Sequence, residues 1–71
     1  MRVYIFRNDG EGLYAYTDDP EGKDLPAPIS GMAWVKCGFI ADLHRAFTAD
    51  RAQAIRDVMQ ARGFYLFKPS Q

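Results

Sequence analysis

A chain of 71 residues lies near the lower size limit for independent folding and has room for one small core; its 48% hydrophobic and 25% charged composition is that of a globular domain rather than a disordered segment. Nine Lys and Arg balance nine Asp and Glu, which excludes the strong overall field that draws proteins to nucleic acid or anionic lipid. A single cysteine, Cys37, excludes an internal disulfide and a cysteine-built zinc site and fits a reducing, cytoplasmic setting, and no apolar run approaches the roughly 18 residues of a membrane span.

From Arg2 to Arg7 and from Leu13 to Thr17 the residues are rich in β-branched and aromatic types, with Asn8-Asp9-Gly10-Glu11-Gly12 between them. This predicts a hairpin with a five-residue loop, because Asn, Asp and Gly tolerate the backbone angles of a tight reversal. If like pairs with like, Val3, Ile5, Leu13 and Ala15 share one face and Tyr4, Phe6, Tyr14 and Tyr16 the other. Residues 18–31 hold three of the four prolines and two of the six glycines, so a long structured loop is expected, with Leu25 and Ile29 available to pack over the sheet.

Met32 to Ile40 reads as a third strand, with Ala33, Val35, Cys37 and Phe39 on one side and Trp34, Lys36 and Gly38 on the other. Asp42 to Phe47 suits either a helical turn or a short returning strand. A helix follows over 49–62: Thr48 is a good N-cap, Asp50 suits the first turn, and Gly63 suits the left-handed position past the end. Its apolar stripe is Ala52, Ile55, Val58 and Met59, with Arg62 at its end. Phe64 to Lys68 forms a last strand, closed by Pro69.

The opening strand with Tyr4 and Arg7, the Leu13-Tyr14-Ala15-Tyr16 strand, the Pro-containing loop, and a helix ending Gly63-Phe64-Tyr65-Leu66 before Pro69 make a pattern that resembles the YcgL family of small bacterial proteins. The likeness covers the first 16 and last 16 or so residues and the helix positions Ile55, Val58 and Met59; the chain is shorter across 18–31 and lacks the helix expected there. The resemblance implies a bacterial cytoplasmic α+β protein and no particular chemistry.

The expected fold is thus a single small α+β domain over 1–71: a three- or four-stranded, mainly antiparallel sheet in the order β-β-β-α-β, with the helix on one face. Val3, Ile5, Leu13, Val35, Phe39, Ile55, Met59 and Leu66 form its expected core. Cys37 and His44 suggest a nucleophile and base, but a mid-strand thiol between Lys36 and Gly38 reads more simply as a small buried hydrophobe. Asp18, Asp19, Glu21 and Asp24 lack calcium-loop spacing, since Pro20 interrupts them. Arg62-Gly63-Phe64 echoes an RNA-recognition strand but is already explained by the helix end.

No catalytic, cofactor or metal set is therefore assigned. The binding candidates are Tyr4, Phe6, Tyr14, Tyr16 and Trp34, an aromatic face more than one helix can cover. It is expected either to lie under the 18–31 loop or to meet a partner. The functional expectation is a non-catalytic protein-interaction or accessory module, acting through that face or a sheet edge, with self-association as a homodimer included. The alternatives are a weak single-stranded nucleic-acid binder that stacks bases on the aromatics, and a small Cys/His enzyme.

Overall fold

The computed structural model describes residues 2–28 and 30–68. Strands β1 (Val3–Asn8), β2 (Leu13–Thr17) and β3 (Val35–Ile40) come first, then a short helix α1 (Leu43–Ala46), the main helix α2 (Ala49–Arg62) and strand β4 (Phe64–Phe67). The four strands form one antiparallel sheet in the order β3-β1-β2-β4, so the small α+β architecture is as expected. The ambiguous segment is helical: the Asp42 side chain accepts from the His44 N–H and caps α1. At α2, Thr48 accepts from the Arg51 N–H, and Gly63 ends the helix at φ 88°, a conformation that would strain a side chain.

The hairpin register differs from the expectation. Asn8 belongs to β1 and pairs with Leu13, shortening the turn to Asp9–Gly12. That single residue flips β2: Ile5 now faces Tyr16, and Phe6 faces Ala15. Tyr14 and Tyr16 therefore share a face with Val3 and Ile5, while Ala15 and Leu13 share the other with Tyr4 and Phe6. Asn8 is held in the strand by its side chain. Its amide donates to the Met32 carbonyl at 2.8 Å and its oxygen accepts from the Glu11 N–H at 3.2 Å, with almost no exposure. Asn8→Ala is expected to cost about 1–3 kcal/mol, because it removes the buried side-chain donor to the Met32 carbonyl; a denaturant midpoint unchanged from that of the parent would contradict this.

The two faces are covered differently. On the first, Val3 packs with Leu43, Ala52, Ile55 and Met59, flanked by Tyr16, Ile40, Phe47 and Tyr65. Of the expected helix stripe, Val58 is half-buried and Arg62 exposed. On the second face the 18–31 loop lies over Phe6, which is only 4% exposed. Gly22, at φ 68°, comes so close that a methyl there would meet the Phe6 ring at 2.9 Å and Leu25 at 3.0 Å. Leu25 lies beside Gly22 in this loop; Ile29 and Pro69 lie outside the described residues. The loop is tied at Thr17, fully buried, whose hydroxyl lies 2.8 Å from an Asp24 carboxylate oxygen and 3.3 Å from the Gly63 carbonyl, and accepts from the Asp19 N–H.

Asp19 organises the first turn of that loop by accepting from the Glu21 and Lys23 N–H groups. The Glu21 N–H in particular holds its carboxyl below the usual 3.8. A depressed carboxyl favours the folded turn above its ordinary pKa, and that preference is lost as the pH falls through the depressed value. In an acid NMR titration the Glu21 and Lys23 amide resonances should therefore move together with an apparent pKa below that of a free aspartate. Independent midpoints for the two amides would argue against this turn.

The expected core needs correction at five positions. Val35 is 48% exposed, Phe39 56% and Leu66 37%, because β3 and β4 are the two sheet edges and each has a neighbour on one side only. Ile5 and Leu13 are half-buried, and Phe6, Ala15, Leu43 and Ala52 take the missing core places.

Candidate functional site

The five aromatic candidates do not share one surface. Tyr4 and Phe6 lie on the loop-covered face, Tyr14 and Tyr16 on the helix-covered face, and the Trp34 indole N–H donates to the Pro26 carbonyl at 2.9 Å, fastening the loop. The one-residue register shift separates them. Tyr14 and Tyr16 instead join Tyr65 and Phe67 of β4, with Phe67 ring centroids 4.7 Å from Tyr16 and 5.6 Å from Tyr14. Burial raises the Tyr16 hydroxyl above its usual 10.0, an effect that the Arg51 guanidinium partly opposes. Tyr16 is therefore a packing residue, and Tyr16→Ala reports on the fold before it reports on any association.

The most exposed apolar side chains gather elsewhere. Val35 and Phe39 stand on β3, and Met32, 51% exposed, just precedes it. β3 pairs with β1 on one side, and its other backbone edge carries no strand among the described residues. The ladder is irregular: Ile5 pairs with Gly38 and Phe6 with Lys36, which leaves Cys37 as an extra residue without a Cα partner. This bulge overturns the simple alternation expected for 32–40. Val35, Gly38 and Ile40 go with the helix face through Arg7, Ile5 and Val3, and Lys36 and Phe39 with the loop face through Phe6 and Tyr4. Lys36 in mid-strand and Gly38 inside it were the sequence signs of an edge with a bulge.

Charge is arranged on one side of this edge. The Lys36 ammonium sits 5.0 Å from the Tyr4 ring centroid and 5.9 Å from that of Phe6, and the Arg2 guanidinium sits 4.8 Å from Phe39. The ion pairs among the described residues are elsewhere, Arg7 with Asp9 and Lys23 with Glu21.

Cys37 and His44 stand on different elements, β3 and α1. Cys37 is exposed, and its thiol lies 3.5 Å from the Ile5 carbonyl oxygen as a donor. His44 is in α1, with its backbone N–H engaged by Asp42. Among the described residues no group of three His, Cys, Asp or Glu is placed to hold a metal, and no pocket is present. No helix among them is long and apolar enough to cross a membrane.

No family model, curated protein or solved structure matches the chain.

Proposed function

We propose that this chain is a non-catalytic protein-interaction module that takes an extended segment of a partner along the open edge of β3. The observation that carries this reading is the position of Val35 and Phe39. Three of the four large apolar side chains most exposed among the described residues lie on or just before that edge. An added strand would cover them while pairing the backbone groups on the outer edge of β3, the mode by which sheets capture extended peptides. The resemblance to a bacterial cytoplasmic family, and a single unpaired cysteine, support a cytoplasmic setting for this role. Stacking of single-stranded nucleic acid gains less support, since the chain's own cations already sit over the Tyr4 and Phe39 rings.

The test is selection of binders from a displayed library of random peptides, repeated with Val35→Lys and Phe39→Lys combined. Selected peptides should protect the amides of 35–40 from exchange and lose affinity for the double variant. Peptides that bind parent and variant alike, and protect other residues, would remove the reading.

A further inference from the structure

We infer, resting on the edge reading above, that the segment β3 accepts alternates apolar and acidic residues. The two sides of the edge ask for different chemistry. On the helix side the row is Val35, Gly38 and Ile40, and a Cβ at Gly38 would meet only the Ile5 Cδ1 at 4.0 Å, so the surface there is apolar and open. On the loop side it is Lys36 and Phe39, with Lys36 above Tyr4 and Arg2 above Phe39. Neither cation has a carboxylate within ion-pair distance among the described residues.

A strand added about 4.8 Å beyond β3 points alternate side chains to these two sides. Its apolar residues meet Val35 and Ile40, and its carboxylates come within reach of Arg2 and Lys36, a favourable cross-strand pairing. A second copy of this chain fits less well. Antiparallel pairing of β3 with itself brings the Arg2 and Lys36 side of one copy against the same side of the other, like charge beside like. The inferred partner is therefore a different chain, extended and acidic on one face.

Three capped nine-residue probes test this, alternating Val with Glu, Val with Thr and Val with Lys, with affinity measured by calorimetry and the site by amide shift changes. The Val/Glu probe should bind best, perturb residues 35–40 and weaken as salt rises. Arg2→Ser combined with Lys36→Ser, both exposed, should weaken Val/Glu about tenfold and so remove its lead over Val/Thr. Equal binding of Val/Thr and Val/Glu at β3 would overturn the acidic specificity while the edge reading stands. If none of the probes perturbs residues 35–40, the edge reading itself fails. Concentration-dependent self-association that perturbs the same residues would assign the edge to a second copy and overturn the inference.

Discussion

Phe6→Ala is expected to destabilise the protein by about 3–5 kcal/mol, the range for removing a buried aromatic ring. Phe6 is 4% exposed, and Gly22 of the 18–31 loop lies against its ring. The loss would therefore be felt in two places, in the sheet and in the loop that closes over it. In a domain of this size, whose whole stability is on the order of 5–10 kcal/mol, that is a large fraction. Chemical denaturation followed by tryptophan fluorescence suits the measurement, since Trp34 is fastened to the loop through Pro26. A cost below about 1 kcal/mol would mean that the loop is a loose cover and that Phe6 belongs to an open surface.

On the opposite face, Ile55→Ala is expected to cost about 2–5 kcal/mol. Ile55 is 1% exposed and packs in the cluster formed by Val3, Leu43, Ala52 and Met59. The spread reflects how far α2 can settle into the space left behind. The two substitutions together distinguish a domain with two packed layers from one with a single layer. Comparable losses mean that helix and loop each close one face of the sheet; a large loss for Ile55→Ala alone means that the helix side holds the fold by itself. Because the residues lie on opposite faces, their costs should add in the double variant, and strong non-additivity would indicate coupling through the sheet.

The edge reading gives β3 a role that its sequence conceals. Val35 and Phe39 look like core residues when 32–40 is read as an ordinary strand, because apolar side chains in a strand are usually buried. They are exposed because no strand among the described residues stands beyond β3. Tyr14 and Tyr16 show the converse. They look like one half of a binding face, yet Tyr16 packs against Phe47, Tyr65 and Phe67 in the protein's own interior.

Elements set by neighbours in the chain were legible from the sequence alone. Thr48, Asp50 and Gly63 define α2 within a turn of each end, because capping bonds and a left-handed glycine act over three or four residues. The hairpin, the prolines that keep 18–31 irregular, and the small α+β class follow in the same way. The register of β2, the bulge at Cys37 and the identity of the edge strands are decided by the tertiary structure. Asn8 joins β1 by bonding Met32, 24 residues away, and that one bond helps to set which face each tyrosine occupies. A strand reverses its faces with a shift of one residue, and only long-range partners select between the two registers.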